Sequence, residues 1–288
     1  MTERMDAKII STGPSPRGWH RLQQAAECLQ KYALGYEDPE PKVEGSPSPP
    51  LAKGSLVHLA LAQHYARMKA EQNGEDIEDW CEPVRAVRLI AKKEKTGAFA
   101  DLAIDAYHRH TDQYPNDIHN KRILEVESLY ETTIGGKYLF TGRMDLVWED
   151  QAGRVVVEDH KTTGRLTNRH SEFYAVSGQL IGYRHLAKAK WGDRFGGLRL
   201  NLIQHGGDMM FMRMELPRSP NLEARFERIV IDIEESIDRV KTEGRDLDGW
   251  PKAMNELTCY HRYGPCKFLA RCRMGKGAKE SGNWSWEG

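Results

Sequence analysis

The sequence predicts a mixed α/β domain with helical flanks, and three observations lead to this fold class. Roughly the first 115 residues carry apolar side chains at helical spacing and show no strand pattern. Alternation of apolar and polar residues begins at Arg122 and predicts three strands in succession. A helix, two further strands and a long amphipathic helix follow, an order typical of one sheet flanked by helices.

The predicted elements have the following bounds. Helices are expected from Trp19 to Leu34, from Gly54 onward with Ser55 as its cap, over about 80–112, from Phe173 to Ala189 and from Pro217 to about Glu243. Strands are expected from Arg122, from Lys137 to Trp148, from Arg154 to Lys161, from Leu198 to Ile203 and from Met209 to Glu215. Residues 36–50 are expected to be a loop, and the tail from Thr258 to Gly288 to be loop-like.

Composition is that of an ordinary soluble chain: 39% of the 288 residues are hydrophobic and 29% are charged. No run approaches the roughly 18 apolar residues of a membrane span, and the start at Met1 lacks the apolar core of a secretory signal. We therefore expect a cytoplasmic protein.

The 42 basic and 42 acidic residues cancel, so the whole chain has no general attraction to nucleic acid. Basic residues nevertheless cluster at 160–170, at 184–194 and in the tail from Arg262, which includes Lys276 and Lys279. They could line a positive groove, although solvated helix faces explain any single cluster equally well.

Asp145, Asp159 and Lys161 are the first candidate site. Asp159 and Lys161 are two apart on a strand and share a face, and a tight connection would bring Asp145 alongside. Burying these groups is costly unless they are paired or bind a metal. An ion pair between aspartate and lysine is the plain alternative.

Two further signals surround this pair of strands. Gln179 and Tyr183 are four apart on the following helix, where they offer polar groups to a DNA backbone, although Tyr183 could equally be a core residue. His58 lies on an apolar helix face, where a histidine is more often a packed core residue than a metal ligand.

The cysteines form a separate signal. Cys259, Cys266 and Cys272 are separated by six and five residues, and Cys28 is the preferred fourth ligand, with Cys81 as the alternative. Disulfides are not expected in a reducing compartment. Four thiolates can hold an iron–sulfur cluster or zinc, whereas inert buried thiols are less typical of a polar tail.

These motifs resemble those of the RecB-like exonuclease branch of the PD-(D/E)xK nucleases. The shared features are Gly54 with His58, Asp145, Asp159 with Lys161, Gln179 with Tyr183, and one cysteine before the core with three after it. The iron–sulfur members of that branch include the AddB nuclease domain and CRISPR-associated exonucleases. Two departures are Met144, in the place of the usual proline, and His160, in the middle of the D-x-K motif.

The resemblance implies a restriction-endonuclease-like core at 119–245, an N-terminal helical lobe at 1–118 and a cysteine-cluster tail at 246–288. It implies that His58, Asp145, Asp159 and the backbone carbonyl of His160 bind Mg²⁺ or Mn²⁺. Asp145, Asp159 and Lys161 would be catalytic, and Gln179 and Tyr183 would bind the substrate. Cys28, Cys259, Cys266 and Cys272 would bind a [4Fe–4S] cluster, with zinc as the alternative.

The implied function is a metal-dependent DNA nuclease, and more specifically an exonuclease acting on single-stranded DNA or duplex ends. Such enzymes act in recombination, repair or phage DNA metabolism, in a bacterial or phage-infected cell, with a possible recombination or CRISPR-adaptation protein partner. The alternative is a catalytically inactive DNA-binding or scaffold protein that keeps the fold and the cluster. The chain has no Walker A motif, so no helicase activity is expected.

Overall fold

The computed structural model describes residues 7–38, 48–205, 207–261 and 264–275. Arg262, Lys276 and Lys279, which belong to the predicted basic tail, lie outside these residues. The helices are α1 (Trp19–Glu27), α2 (Leu29–Tyr32), α3 (Pro49–Gln72), α4 (Pro83–Lys93), α5 (Ala100–Gln113), α6 (Asp117–Asn120), α7 (His170–Ala175), α8 (Gly178–Trp191), α9 (Pro220–Thr242), α10 (Glu256–Cys259) and α11 (Leu269–Met274). The strands are β1 (Arg122–Ile134), β2 (Tyr138–Glu149), β3 (Val155–Thr163), β4 (Phe195–Gln204), β5 (Phe211–Glu215), β6 (Tyr260–His261) and β7 (Gly264–Pro265).

The predicted mixed sheet flanked by helices is confirmed. Five strands lie in the order β1-β2-β3-β4-β5. Strand β3 pairs antiparallel with β2 and parallel with β4, and β5 pairs antiparallel with β4. The parallel pair requires a crossover, which α7 and α8 supply. Strand β3 therefore lies at the centre of the sheet, between β2, which carries Asp145, and β4.

Several predicted bounds are corrected by the structure. The first helix is interrupted at Cys28, whose backbone is extended (φ −168°, ψ 114°). Helix α3 begins at Pro49 rather than at Gly54, because proline suits the first helical turn, where its missing N–H costs nothing. Ser55 therefore lies inside the helix and does not cap it. The tail contains α10, α11 and the small β6–β7 sheet.

The chain divides into two compact units. Unit 1 contains the described parts of Met1–Gly18, Glu44–Thr132 and Leu139–Phe226, and unit 2 those of Trp19–Val43, Thr133–Tyr138 and Glu227–Gly288. In unit 1, α3, α4, α5 and the sheet share one core, made of Leu56, Val57, Ala60, Leu61, Tyr65, Met68, Val87, Ala91, Ala100, Ala103, Ala106, Ile123, Leu146, Trp148, Val156 and Ile203. In unit 2, the core consists of Ala25, Tyr32, Ala33, Ile237, Val240 and Trp250.

Glycines set how closely α8 packs on β2 in unit 1. A Cβ atom on Gly142 would lie 2.6 Å from Leu186 Cδ1, and one on Gly182 would lie 2.6 Å from Phe140 Cζ. Both distances are too short for real atoms, so only glycine permits this approach. The close packing fixes the position of Gln179 and Tyr183 relative to β2.

None of the helices in the described residues is long and apolar enough to cross a membrane.

Candidate active site

Three of the predicted side chains meet at β2 and β3, and His58 of α3 reaches them. Asp145 Oδ2 accepts a hydrogen bond of 2.8 Å from the backbone N–H of His160, and His58 Nδ1 lies 3.4 Å from the same oxygen. Lys161 Nζ lies 2.7 Å from Asp159 Oδ2. The convergence inferred from the spacing of these residues is therefore present in the fold.

The side chains of Asp159 and Lys161, both on β3, shift each other's pKa. Asp159 is 2% exposed and its Oδ1 has no hydrogen-bond partner among the described residues. Burial raises the pKa of Asp159 to about 6, with a further rise from Asp145 that the Lys161 ammonium opposes. Burial alone would lower the pKa of Lys161, but the Asp159 and Asp145 carboxylates raise it above its ordinary value. Lys161 is thus held as an ammonium beside two acids.

Glu127 of β1 is a further acid in the site that the sequence reasoning missed. Its carboxylate lies with ligand atoms of His58 and Asp145 in a group whose members are all within 4.8 Å of one another. Burial, followed by the Asp145 carboxylate, raises the pKa of Glu127 to about 9. Its backbone is left-handed (φ 48°), which is uncommon for a residue other than glycine and often marks a functional site. No spacing rule in the strand reveals this backbone feature.

Gly54 explains how His58 reaches the sheet. A Cβ atom at Gly54 would lie 2.9 Å from Thr162 Oγ1, at the end of β3. Helix α3 therefore passes close to this strand only because residue 54 has no side chain. One helical turn later, His58 lies over the same region with its side chain 24% exposed.

Gln179 and Tyr183 lie together on α8 and contact the site directly. Lys161 Nζ donates to Gln179 Oε1 at 3.3 Å, and Gln179 Nε2 donates to the Tyr183 hydroxyl at 2.9 Å. That hydroxyl in turn donates to the backbone carbonyl of Arg143 in β2. The pair thus joins the lysine to the neighbouring strand. That both residues bind the substrate strand stays a prediction.

The opposite face of β3 carries buried polar groups. Side chains alternate along the strand, so Glu158 and His160 face α3. Glu158 is fully buried and accepts hydrogen bonds of 3.0 and 2.9 Å from Lys121 Nζ. His160 is stacked on Tyr65 with ring centroids 5.9 Å apart. These contacts were not foreseen from the sequence, and they compensate for burying charge in the central strand.

A histidine chain continues behind His160. The Asn201 amide nitrogen lies 2.9 Å from a ring nitrogen of His160 and 2.9 Å from one of His110. His110 is 1% exposed, and burial, followed by the Arg213 guanidinium, lowers its pKa to about 3. The ring is therefore neutral in the folded protein at neutral pH.

His110 should make the protein less stable in acid. Between the ordinary histidine pKa of about 6.5 and the folded value, the unfolded chain binds a proton that the folded chain does not, so the unfolding free energy falls as pH falls. At pH 4.5 this one group should account for about 2 kcal/mol of the loss. We expect the fall in unfolding free energy between pH 7 and pH 4.5, measured with urea, to be smaller by that amount in His110→Asn.

The control for this prediction is His108→Asn, at an exposed position on the same helix. It should keep the pH dependence of the wild type. Identical pH dependence in His110→Asn and the wild type would contradict the prediction.

Cys28, Cys259, Cys266 and Cys272 belong to unit 2, whereas His58, Glu127, Asp145, Asp159 and Lys161 belong to unit 1. Burial raises the pKa of Cys272, and the thiolates of Cys266, Cys28 and Cys259 raise it further. All four thiols are partly exposed. The tail helix α11 is held in unit 2 by Arg271, which donates to Asp38 at 2.7 Å and to Asp248 at 3.0 Å. Cys81, the alternative ligand, is 2% exposed in unit 1.

Acids on adjacent strands of a mixed sheet, with a histidine beside them, could hold a divalent cation, and such a cation can activate water for hydrolysis. The sequence model of the PD-(D/E)XK nuclease superfamily matches residues 19–273, and the chain belongs to that superfamily. Its nucleases use divalent metals, and His58, Glu127 and Asp145 offer suitable ligands for one. The RecB-like branch and the metal cluster of the tail stay predictions.

Solved structures also resemble this chain. That of a candidate exonuclease from Eubacterium rectale has a TM-score of 0.51 at 11% identity, over 93% of this chain and 90% of that one. The structure of SSO0001 has a TM-score of 0.30 at 16% identity, and the match covers 75% of this chain and 84% of that one. At 11% identity the likeness to the Eubacterium rectale protein concerns the fold alone. The TM-score of SSO0001 is too low to indicate a shared fold. Among curated proteins, no sequence matches this chain.

Proposed function

We propose that this protein is a metal-dependent DNA exonuclease that hydrolyses phosphodiester bonds in single-stranded or end-exposed DNA. The observation that carries the proposal is the convergence of His58, Glu127 and Asp145 next to the buried Asp159–Lys161 pair. An ion pair between Asp159 and Lys161 alone would not explain why His58, Glu127 and Asp145 converge beside it.

The donor atoms fit a divalent cation. Carboxylate oxygens with one imidazole nitrogen suit Mg²⁺ or Mn²⁺, and Asp159 Oδ1 is a buried oxygen without a hydrogen-bond partner among the described residues. His58, Asp145, Asp159 and the His160 carbonyl would hold the cation, with Glu127 as a further acid. Burial raises the pKa of Glu127 and of Asp159, and the neighbouring Asp145 carboxylate raises both further, so a bound cation would offset the cost of keeping these acids ionised.

His58, Asp145 and Asp159 would hold a divalent cation, which would supply polarisation of the scissile phosphate and a water of lowered pKa. Lys161, held as an ammonium, would orient the attacking water and stabilise the negative charge that develops on the phosphate. Gln179 keeps the lysine in place through its 3.3 Å hydrogen bond, and Tyr183 fixes Gln179 against β2. We propose that Gln179 also contacts the substrate strand.

We propose further that Cys28, Cys259, Cys266 and Cys272 bind a [4Fe–4S] cluster. The electrostatic effect of the other three thiols on Cys272 supports their proximity. Four thiolates can hold either an iron–sulfur cluster or zinc, and zinc is the alternative occupant. The cluster would stabilise unit 2.

Cleavage of end-labelled linear and of circular single-stranded DNA, each with Mg²⁺ or Mn²⁺, tests the proposed activity. An exonuclease should release mononucleotides or short products from the linear strand and leave the circle intact. Cleavage of the circle would indicate an endonuclease. Metal-independent DNA binding with no cleavage under either ion would support the inactive scaffold instead.

Glu127→Gln should weaken metal binding, because it removes one of the acids from the group of ligands while keeping its size. We expect the apparent affinity for Mn²⁺, measured by calorimetry, to fall about tenfold or more, and cleavage to need correspondingly more metal. Glu125→Gln, two residues earlier on the same strand, is the matched control and should bind Mn²⁺ as the wild type does. Unchanged affinity in Glu127→Gln would remove Glu127 from the site.

Three wider parts of the proposal rest on the resemblance to RecB-like nucleases. They are a cytoplasmic role in recombination, repair or phage DNA metabolism, a protein partner in one of these pathways, and the division into segments 1–118, 119–245 and 246–288.

A further inference from the structure

The segment between β3 and α8 carries exposed apolar side chains. Phe173, on the short helix α7, is 68% exposed, and Val176, three residues later, is 64% exposed. An isolated exposed apolar residue is ordinary, but an aromatic ring and an apolar neighbour exposed together on the segment that leads from β3 to α8 are typical of a binding surface. The ring of Phe173 is therefore accessible to a ligand.

Tyr174 connects Phe173 to the catalytic lysine. The rings of Phe173 and Tyr174 pack edge to face, with centroids 5.1 Å apart at 83°. The Tyr174 hydroxyl also interacts electrostatically with Lys161. The end of α7 is fixed, because Ser219 Oγ donates to the Ala175 carbonyl at 2.8 Å. Phe173 therefore packs on a tyrosine that interacts electrostatically with Lys161, on a segment held in position.

The same segment carries positive charge that is available to a ligand. Arg165 and Arg169 are exposed, and in the described part of the chain neither guanidinium has a hydrogen-bond or ion-pair partner. Glu172 is the exposed acid of the segment. Unpaired guanidinium groups beside an exposed aromatic ring match a ligand that has both phosphates and flat bases.

We propose that Phe173 stacks on an unpaired nucleobase of the substrate strand while Arg165 and Arg169 contact its phosphates. This inference rests on the proposed function and deepens it. Stacking on an aromatic face tolerates any base, so the contact selects for strand state and not for sequence. A base inside a duplex is already stacked and paired, so this contact favours single strands and frayed ends.

The test combines changes in the ring with changes in the base. Cleavage rates are measured for single-stranded oligonucleotides that are intact or carry one abasic residue at successive positions near the labelled end. The proteins are wild type, Phe173→Ala, Phe173→Trp and the control Leu89→Ala, which alters an exposed apolar residue on α4.

At one abasic position, wild-type kcat/KM should fall about 5- to 150-fold, the range for loss of one stacked base. Phe173→Ala should show a similar loss on the intact strand and little further loss on the abasic one. Phe173→Trp should restore both the rate and the sensitivity to the abasic residue, and Leu89→Ala should behave as wild type. Undiminished kcat/KM in Phe173→Ala, or wild-type sensitivity to the abasic residue in that variant, would overturn the proposal.

Fluorescence anisotropy of a labelled single strand separates this inference from the proposed function. If wild type binds the strand without cleaving it, the nuclease proposal fails. Weaker binding by Phe173→Ala but not by Phe173→Trp would still support stacking. Equal binding by all four proteins would overturn it. A change in oligomeric state in Phe173→Ala, with unchanged binding to the strand, would assign the ring to a protein contact instead.

Discussion

Lys161→Ala is expected to lower kcat for cleavage of single-stranded DNA by about 10²–10³-fold or more. In the folded protein Lys161 Nζ is 2.7 Å from Asp159 Oδ2 and 3.3 Å from Gln179 Oε1, which holds its charge beside the candidate metal ligands. The substitution removes the ammonium that we propose stabilises negative charge on the phosphate. Initial rates on end-labelled oligonucleotides, at saturating Mn²⁺, measure the effect.

The affinity for Mn²⁺ distinguishes this catalytic role from a structural one. Asp145 and Asp159 remain in Lys161→Ala, and they lose a competing positive charge, so Mn²⁺ should bind at least as tightly as in wild type. Breaking a buried ion pair is also destabilising, by about 3–5 kcal/mol in typical cases, so rates are compared below the melting temperature of each protein. Lys92→Ala, at an exposed position on α4, is the control and should keep full activity. Wild-type kcat in folded Lys161→Ala would refute the site assignment.

Cys272→Ser is expected to remove the cluster and to unfold unit 2. A structural metal can contribute on the order of 10 kcal/mol to folding, which is comparable with the whole stability of an ordinary domain, about 5–15 kcal/mol. The small core of unit 2, with its cysteine-bearing tail, should therefore depend on the bound metal. Anaerobic purification, iron and sulfide analysis, and limited proteolysis measure the loss.

Cys81→Ser is the matched control for this variant. Cys81 is buried in unit 1, and its backbone N–H donates to the Lys8 carbonyl at 2.9 Å. With the proposed cluster present, Cys81→Ser should equal the wild type in colour and in iron content. A colourless wild-type protein with stoichiometric zinc, or a Cys272→Ser variant with its iron intact, would contradict the assignment.

Much of the fold follows from patterns that sequence alone displays. Strands β1 to β3 could be predicted because alternation and the turn at Gly135 and Gly136 are local features. The convergence of Asp145, Asp159 and Lys161 could be predicted because the side chains of a strand have a fixed period. The role of Gly54 could not, because it depends on the 2.9 Å approach to Thr162, which is a tertiary contact.

Glu127 and Glu158 show why the rest of the site escaped prediction. The backbone of Glu127 is left-handed within β1. The alternation of apolar and polar residues along the strand does not indicate this conformation. Glu158 follows the apolar run Val155–Val157, where an acid is expected to be exposed or near the strand end. Its partner Lys121 is 37 residues away in sequence, so its complete burial depends on a contact that only the folded chain provides.

The alternation of charges along β3 also determines how this strand pairs. Glu158 requires Lys121 on the α3 side, whereas Asp159 and Lys161 require each other and Asp145 on the α8 side. A slip of one residue would exchange the two faces, and each buried charge would lose its partner at a cost of about 3–5 kcal/mol. The residues that we propose bind metal and orient water are therefore also residues that exclude the wrong strand register. Substitutions that silence the site should reduce the fidelity of folding as well as the rate of cleavage.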